Sequence, residues 1–395
     1  MESQCQSKSV IIVSPSLNFL GGAQRACLHT ISALRKTNCK LSLATVDKTD
    51  WRLVEEIFGS VSKPNEELYF FSRMPERLTG TFKKAFIAFF YAVQLFRLTM
   101  SNKYSLVINM GGEIVDNLGS IVYVNAIPLR LMHLFPSIQP KNESRWKSYS
   151  KLFSVFLKFL GNNVGVIVAN SKFTQKVIEE RLGKKTFVVN PPVESKLISS
   201  QINCRRQKNS VITISRFRSA KRLEIIPKIA SYAKDGEFVV IGIADKESEQ
   251  CLKELLREIE RLGLKQRVCV YKNKAHEFTL SALSTAKIFL HTQTTEAFGM
   301  SIVESMAAGC IPIVPRTGGP WIDILDCQDG QYGFSYRSSA EAAAKIRMLF
   351  EDESLRIKVS ERAIHRSMIY DSSVFENKFL KIVEAIFSNG KRVSR

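Results

Sequence analysis

The chain has 395 residues, of which 45% are apolar, and a formal net charge of +20. This length fits two domains better than one, and the apolar fraction supplies two buried cores, which excludes disorder as the main state. The charge is compatible with nucleic acid, an anionic membrane surface or anionic substrates. No zinc-finger spacing, RNP-like string or arginine-rich arm is present. We therefore expect no nucleic-acid partner, and favour an anionic membrane surface together with a phosphate-bearing ligand.

The cysteines and the apolar runs indicate a compartment. The eight cysteines are scattered without a C-x-x-C pair, and the opening string MESQCQSKSV lacks the apolar core of a secretory signal. No apolar run reaches the length of a membrane-spanning helix. We expect reduced thiols in a cytoplasmic protein that is peripheral on the cytoplasmic face of a membrane.

Short apolar strands alternate with helical segments, a pattern typical of parallel sheets with helices on both faces. The first strand, at 10–13, runs into a turn that contains Gly21 and Gly22, and a helix begins there. Two glycines permit positive φ angles and a close approach of backbone to a ligand. In an open α/β sheet this end of the strand is where ligands bind. Further strands of the first half are predicted at 41–46, 105–109, 121–125 and 165–170, and Asn170 or Ser171 is predicted to cap the next helix.

Two stretches of the first half, 83–97 and 146–159, combine aromatic residues with basic ones. Each is too short to span a bilayer. For the first stretch, a basic helix lying in the membrane interface and an ordinary core helix are equally good interpretations. The second stretch sets Lys147, Lys151 and Lys158 against aromatics. Two such segments in one half favour contact with an anionic membrane surface.

The second half begins with a strand at 211–215 that is followed by several bases, namely Arg216, Arg218, Lys221 and Arg222. An arginine offers a planar fork to two phosphate oxygens and a lysine offers a point charge. A run of bases is more often a solvated face, so the pattern alone leaves both readings open. Further strands are predicted at 238–242, 268–271 and 287–290, and an amphipathic helix at 374–387 closes the chain.

The segment 291–325, HTQTTEAFGMSIVESMAAGCIPIVPRTGGPWIDIL, carries two acids and two glycine turns around a short helix. Gly299 stands where the loop becomes that helix, and the free N–H groups of a helix N-terminus favour an anion such as a phosphate. The second turn, at 317–320, brings backbone close to another part of the fold. His291, at the start of the segment, is as compatible with a core position as with a ligand contact.

The two acids, Glu296 before the helix and Glu304 one turn inside it, are candidates for binding sugar hydroxyls, since a carboxylate accepts two hydrogen bonds well. The alternative is structural. Ser301 and Glu304 have the spacing of a capping box, in which Glu304 would only accept a hydrogen bond from a backbone N–H.

The string E-A-F-G-M-S-I-V-E-x-M-A-A-G-x-I-P-I-V, followed by G-G-P, resembles the signature of the retaining glycosyltransferases of family 4, which have the GT-B fold. The strings STAKIFLHT and GGPWIDIL resemble the α-1,2-mannosyltransferases that extend lipid-linked oligosaccharides. The resemblance extends from residue 10 to residue 387. It implies an α/β protein with two Rossmann-like domains whose parallel sheets face each other across a cleft, and a C-terminal helix that crosses back to the first domain.

With this fold, the boundaries follow from the composition. We predict an acceptor-binding Rossmann-like domain at 1–193, a linker at 194–209, a donor-binding Rossmann-like domain at 210–370, and a returning helix at 371–395.

The resemblance also implies roles for single residues. Glu296 would contact the donor sugar and Glu304 the nucleotide ribose, while Arg216 and Lys221 match the family's phosphate-binding pair. The predicted catalytic residues are thus Glu296, Arg216 and Lys221, and the predicted donor-binding residues are Glu304, Phe298, Gly299, Met300 and Ser301.

Two positions of the first domain depart from the family pattern. The string containing Gly21 and Gly22 resembles the family's G-G-A-E loop, near the donor phosphates and the acceptor, but Gln24 replaces the acid. Asn125 stands where family members often carry a histidine near the reacting sugar. An amide can hydrogen-bond a sugar hydroxyl but cannot shuttle protons.

The implied activity is transfer of a hexose, with retained configuration, from a nucleotide sugar to a lipid-linked or glycan acceptor. No D-x-D string is present, so neither a metal nor another cofactor is expected. GDP-mannose is the preferred donor, and UDP-glucose, UDP-N-acetylglucosamine and UDP-galactose remain alternatives. A phosphorylase or epimerase of the same fold, and an inactive sugar-binding scaffold, are the competing functions.

Overall fold

The computed structural model describes residues 8–75, 80–134, 143–201, 209–245 and 247–388, and for 81, 133, 143–150 and 276 it describes only the backbone. The chain divides into two compact units. The first unit comprises Met1–Pro192 with Ser372–Arg395, and the second comprises Val193–Asp371.

The first unit is built on a seven-stranded parallel sheet with the spatial order β3-β2-β1-β4-β5-β6-β7. The apolar runs predicted from the sequence form its central strands, because strands buried on both faces need apolar residues throughout. Strand β1 lies in the middle, and its Val10 pairs with Leu41 of β2 and Leu106 of β4. The strands are β1 Lys8–Val13, β2 Cys39–Asp47, β3 Glu66–Phe71, β4 Leu106–Asn109, β5 Leu118–Val124, β6 Asn163–Ala169 and β7 Thr186–Val188.

The helices of the first unit are α1 Gly22–Arg35, α2 Trp51–Phe58, α3 Gly80–Met100, α4 Glu143–Phe159, α5 Lys172–Leu182 and α13 Ser372–Ser388. Helix α5 begins as predicted, since the Ser171 hydroxyl accepts a hydrogen bond from the Thr174 N–H at 3.0 Å. Helix α13, the last of the chain, packs on α1 and places the Phe375 ring 6.0 Å from that of Tyr123. The prediction that the C-terminal helix returns to the first domain is confirmed.

The second unit contains a six-stranded parallel sheet with the order β10-β9-β8-β11-β12-β13. Its strands are β8 Ser210–Ile214, β9 Glu237–Gly242, β10 Val268–Lys272, β11 Ile288–Leu290, β12 Ile311–Pro315 and β13 Phe334–Tyr336. Its helices are α6 Ser195–Gln201, α7 Ile226–Tyr232, α8 Glu249–Arg261, α9 His276–Thr285, α10 Met300–Ala307, α11 Ser339–Glu351 and α12 Glu353–Ser367.

The strand order places one candidate ligand site in each unit. In the first sheet the strand order reverses between β1 and β4: β2 and β3 lie on one side of β1, and β4 and the later strands lie on the other. In the second sheet it reverses in the same way between β8 and β11. Loops that follow such neighbouring strands diverge to opposite faces and leave a crevice at the carboxyl ends. The loops after β1, β4, β8 and β11 are therefore the ones to inspect for chemistry.

Three features differ from the sequence-based expectation. The edge strands β3 and β13 were not predicted, because the former begins with two acids and the latter has only three residues. The stretch predicted as a linker, 194–209, begins with α6, whose Ile198 is buried against the core of the second unit. The remainder of that stretch, 202–208, lies outside the described residues.

The aromatic stretches at 83–97 and 146–159 lie in helices α3 and α4, and one face of each helix is buried in the core of the first unit. Helix α3 buries Ile87, Tyr91 and Leu95, and α4 buries Phe153 and Leu157. Their outer faces carry exposed apolar side chains, namely Phe82 (77% exposed), Phe89 (47%), Leu152 (72%), Val155 (45%) and Phe159 (85%). Trp146 and Lys147 fall among the residues whose side chains are outside the described part.

None of the helices in the described part of the chain is long and apolar enough to cross a membrane.

Candidate active site

The neighbouring strands β8 and β11 bring Lys221 and Glu296 together at the crevice of the second unit. The Lys221 ammonium donates a hydrogen bond to Glu296 Oε2 at 2.6 Å, and the two side chains are 22% and 18% exposed. Both residues were predicted to be catalytic, but their direct contact was not predicted. The pair forms a half-buried charged centre at the carboxyl edge of the sheet.

Backbone contacts hold the Lys221 turn against the end of β11. The Thr292 hydroxyl donates to the Lys221 carbonyl oxygen at 2.5 Å. The next residue, Arg222, has a φ of 52°, in the left-handed region that few non-glycine residues adopt. The turn is thus fixed by tertiary contacts that position the lysine.

The charge state of Glu296 follows from its neighbours. Burial by itself raises the pKa of this carboxyl group, but the positive charge and hydrogen bond of Lys221, with smaller contributions from His291 and Arg216, outweigh it and lower the pKa below the ordinary value. Glu296 is therefore a carboxylate at neutral pH, and it can accept hydrogen bonds from hydroxyl groups.

The glycine turn at 317–320 lies directly behind the loop of Glu296, which explains why this turn needs small residues. Gly318 has a φ of 73°, and a Cβ there would lie 2.8 Å from the Glu296 carbonyl oxygen. A Cβ on Gly319 would lie 2.0 Å from the Ala297 carbonyl oxygen. The two loops are packed backbone to backbone, and only glycine fits between them.

Helix α10 starts where the sequence predicted, with Gly299 as its N-cap at a φ of 103°. The helix begins at Met300, so Ser301 already lies in the first turn. The capping box proposed for Ser301 and Glu304 is therefore wrong, because Ser301 is not the cap residue. The N–H groups of Met300 and Ser301 belong to the first turn, where backbone donors have no acceptor within the helix and favour an anion.

The remaining predicted donor-binding residues differ in accessibility. Phe298 is 2% exposed, and its ring packs edge-on against Tyr370 at 5.2 Å. Its side chain is thus part of the core, and it offers a ligand only its backbone. Met300 and Glu304 are half-buried. The donor-binding roles of Glu304, Gly299, Met300 and Ser301 stay predictions.

The bases after β8 separate into two kinds. Arg218 forms an ion pair with Asp245 at 2.5 Å, so its guanidinium is committed to a structural contact. Arg216 is exposed, and it lies close enough to Glu296 to contribute to lowering the pKa of that carboxyl group. The phosphate-binding roles of Arg216 and Lys221 stay predictions; Arg216 is exposed, whereas Lys221 is paired with Glu296.

The glycine loop after β1 has a different geometry from the predicted one. Gly21 is the N-cap of α1 with a φ of −117°, and the positive φ of 51° belongs to Leu20. The Gln24 amide closes the loop, since its Oε1 accepts from the Gly21 N–H at 3.0 Å and its Nε2 donates to the Ser16 carbonyl oxygen at 3.0 Å. A glutamate at position 24 could accept the hydrogen bond from the Gly21 N–H, but its carboxylate could not donate to the Ser16 carbonyl oxygen. This difference is a structural reason for glutamine at a position where the family pattern has an acid. No positive φ occurs at Gly22 either.

Asn125 lies at the end of β5, and its amide is largely used by the protein itself. Its Nδ2 donates to the Met110 carbonyl oxygen at 2.7 Å and approaches Glu113 Oε2 at 3.5 Å. Glu113 also accepts a hydrogen bond from the Asn125 N–H at 3.3 Å. The Asn125 amide nitrogen is therefore a weaker candidate for binding a sugar hydroxyl than the sequence suggested.

Glu113 is a candidate that the sequence analysis missed. It follows β4 in the string Met110-Gly111-Gly112-Glu113, next to the loop of Gly21. Burial raises the pKa of its carboxyl group, and the hydrogen bonds from Asn125 only partly oppose this effect. The signal that could have revealed it is the pair of glycines, Gly111 and Gly112, that closely follows a buried strand.

Comparisons with known proteins agree with this architecture. Residues 194–366 match the family described as Glycosyl transferases group 1. Over the whole chain the fold is similar to sucrose-phosphate synthase from Thermosynechococcus elongatus, with a TM-score of 0.76 at 13% identity, covering 97% of this chain and 100% of that one. It is also similar to Anabaena HepE, solved in complex with UDP and glucose, with a TM-score of 0.69 at 18% identity, covering 95% and 99%. Most of the second unit thus matches the group 1 glycosyl transferase model, and the whole chain has the GT-B fold of these solved structures.

Among curated proteins, the chain resembles the GDP-Man:Man(3)GlcNAc(2)-PP-Dol alpha-1,2-mannosyltransferases. It is 29% identical to the Homo sapiens protein over 263 residues, which cover 60% of this chain and 52% of the relative. It is 31% identical to the Xenopus laevis protein over 259 residues, with coverages of 60% and 52%. The chain thus spans about half the length of these relatives.

Proposed function

We propose that this chain is a hexosyltransferase that moves a sugar, retaining its anomeric configuration, from a nucleotide sugar to a lipid-linked or glycan acceptor. The observation that carries the proposal is the Lys221–Glu296 pair at 2.6 Å, at the point where the strand order of the second unit reverses. GDP-mannose is the proposed donor, because the relatives named above are GDP-mannose-dependent. A UDP-sugar donor is the alternative within the same reaction class.

In the proposed reaction the bond between the sugar C1 and the diphosphate oxygen breaks, and a bond between C1 and an acceptor hydroxyl oxygen forms. The acceptor proton passes to the departing phosphate. Negative charge grows on the diphosphate as the bond breaks, and Arg216, Lys221 and the first-turn N–H groups of α10 supply fixed positive charge and donors for it. The proposed mechanism therefore uses no metal ion to stabilise the charge on the diphosphate.

Glu296 has a second proposed task, which is to hold the sugar while the bond to phosphate breaks. Its carboxylate accepts the Lys221 hydrogen bond through Oε2, and its lowered pKa keeps it ionised. An ionised carboxylate accepts stronger hydrogen bonds from sugar hydroxyls than a neutral amide does. The lysine therefore both faces the phosphate and keeps the sugar-binding group charged.

The acceptor is proposed to bind the first unit, near Gly21, Gly22, Glu113 and Asn125. A lipid-linked acceptor lies at a bilayer, and the outer faces of α3 and α4 provide a surface for it. Phe82, Leu152 and Phe159 are mostly exposed there, with the exposed Lys151 and Lys158 beside them. Exposed apolar side chains among cations fit an anionic membrane interface.

The experiment compares turnover of GDP-mannose and of three UDP-sugars, with glucose, N-acetylglucosamine or galactose, by wild type and variants. Arg216→Ala and Lys221→Ala should each lower kcat/KM about 100-fold, by analogy with the loss of an oxyanion donor. The control is Lys253→Ala, which removes one positive charge from an exposed position of α8. Near-normal turnover in both site variants would overturn the assignment. Dependence on inorganic phosphate would support the phosphorylase alternative, and absence of turnover with every donor would support the scaffold.

A further inference from the structure

His291 is held rigidly at the carboxyl end of β11, beside the charged pair. Its side chain is only 8% exposed. Its backbone N–H donates to the Ile313 carbonyl oxygen at 2.9 Å, and its carbonyl oxygen accepts from the Tyr336 hydroxyl at 2.8 Å. These contacts come from β12 and β13, so the neighbouring strands determine where the imidazole lies.

The imidazole leaves one nitrogen without a partner. Nε2 is buried and has no hydrogen-bond partner among the described residues, and it lies 3.8 Å from Glu296 Oε2, beyond hydrogen-bond distance. Nε2 thus lies beside the Lys221–Glu296 pair without being hydrogen-bonded to it.

The ring carries one proton at neutral pH. Burial lowers the pKa of His291 to about 4, and the nearby positive charge of Lys221 also lowers it, although Glu296 and the Gln293 backbone act in the opposite direction. The neutral imidazole has one N–H and one lone pair, so Nε2 can either donate or accept a hydrogen bond. In either state it has no partner at hydrogen-bond distance among the described residues.

Burying a polar nitrogen without a hydrogen-bond partner is costly. Lys221 already supplies one donor to Glu296 from its own side. What fits the remaining demand is a ligand that carries adjacent hydroxyl groups, one for Nε2 and one for the carboxylate. A pyranose has this chemistry because each of its hydroxyl groups can both donate and accept, whereas the diphosphate of a nucleotide sugar has no hydrogen to donate at neutral pH.

We propose that His291 is a specificity-determining residue, which forms at Nε2 a hydrogen bond with one hydroxyl of the transferred sugar while Glu296 binds a neighbouring hydroxyl. This inference rests on the proposed function, since it assigns a contact to the sugar of the nucleotide donor. Its consequence is selectivity. A donor without that hydroxyl leaves Nε2 unpaired, so the site should discriminate strongly against it.

The test measures kcat/KM for the accepted nucleotide sugar and for its monodeoxy analogues, each lacking one hydroxyl. Wild type should lose at least ~10-fold in kcat/KM on one analogue because a buried polar nitrogen is left unpaired. If wild type shows no such loss on any analogue, the inference is overturned without reference to a variant. Absence of turnover with every donor overturns the proposed function and this inference together.

Two variants then separate the ring nitrogens. His291→Asn places an amide near the position of Nδ1 and removes Nε2. It should reduce the penalty on that one analogue to about 2-fold or less while leaving the other analogues ranked as in wild type. His291→Gln reaches the position of Nε2 and should retain part of the penalty. An unchanged penalty in His291→Asn shows that Nε2 meets only water, and overturns the inference even though the enzyme is active.

Discussion

The backbone N–H of Gly319 donates a hydrogen bond to the carbonyl oxygen of Glu296 at 2.9 Å. The second glycine turn thereby holds the loop that presents the carboxylate to Lys221. The relationship links two parts of the predicted signature, the E-A-F-G string and the G-G-P string, through a single backbone contact.

Substitution of Gly319 should disturb this loop. In Gly319→Ala the new Cβ would lie 2.0 Å from the Ala297 carbonyl oxygen, so one of the two loops must move. We expect a loss of about 3 kcal/mol or more in the free energy of unfolding, together with loss of turnover. Urea denaturation checks this. The control is Gly263→Ala, where φ is +66° but nothing lies within 4 Å, so that only backbone strain of about 1 kcal/mol is expected. Equal losses would show that the clash is relieved at no cost.

The role of Gln24 can be tested by Gln24→Glu. The introduced carboxylate still accepts from the Gly21 N–H, but it cannot donate to the Ser16 carbonyl oxygen, which Gln24 contacts at 3.0 Å. We expect about 1–3 kcal/mol less stability at pH 7, because a buried acceptor loses its donor. Since a protonated carboxyl group can donate, the deficit should shrink as the pH falls below about 5. Gln328→Glu, at an exposed position, should show neither effect.

His291 should make stability depend on pH. Its folded-state pKa of about 4 lies below the ordinary value of 6.5, so between these values the unfolded chain binds the proton and the folded chain does not. Stability should therefore fall as the pH is lowered from 6.5 to about 4, and should be fully retained above 6.5. The contribution is on the order of 3 kcal/mol.

The measurement is the free energy of unfolding against pH for wild type and His291→Asn. The variant should lose the slope between pH 6.5 and 4.5. Glu296, the carboxylate nearest the ring, has a lowered pKa and acts only below its ordinary value of 4.5, so it leaves this window clear. A slope of the same size in both proteins would assign it to another group.

Glu304 and Glu296 should respond differently to replacement by glutamine. Because Ser301 is not the N-cap of α10, loss of a capping box cannot explain any effect of replacing Glu304. Glu304→Gln should weaken nucleoside-diphosphate binding about 10-fold, since a charged acceptor makes the stronger hydrogen bond with ribose hydroxyls. Glu296→Gln should largely retain nucleotide binding and lose sugar transfer. Calorimetry with GDP and UDP, alongside turnover, distinguishes the two; unchanged affinity in Glu304→Gln would contradict the ribose contact.

Membrane binding should depend on the outer faces of α3 and α4. Phe82→Ser, Leu152→Ser and Phe159→Ser change side chains that are 77%, 72% and 85% exposed, so the fold should tolerate them. Each should weaken binding to anionic vesicles by about 10-fold, the loss expected when a buried apolar side chain is removed. Leu256→Ser, at 50% exposure on α8, is the matched control. Salt should release the wild-type protein. The surface assignment fails if the control and the three variants sediment alike with vesicles.

The choice of these positions corrects an expectation from the sequence. Phe90 and Phe96 read as part of the same aromatic stretch, but both pack against the core of the first unit, and the Phe90 ring contacts that of Phe71 at 5.0 Å. The sequence could not separate them from Phe89, because residues 85–93 are all apolar or aromatic and show no polar face. Only the packing of α3 on the sheet distinguishes the inner face from the outer one.

Local pattern in the sequence determined the alternating strands and helices, the glycine before α10, and the identities of Arg216, Lys221, Glu296 and Glu304 as candidates, since each depends on residues close together in the chain. Tertiary structure decided the rest. Lys221 and Glu296 are 75 residues apart, and they meet only because β8 and β11 are neighbours. Phe298 turned out to be core, and the Nε2 atom of His291 proved to be buried without a hydrogen-bond partner among the described residues, because burial and pairing depend on strands and loops distant in sequence.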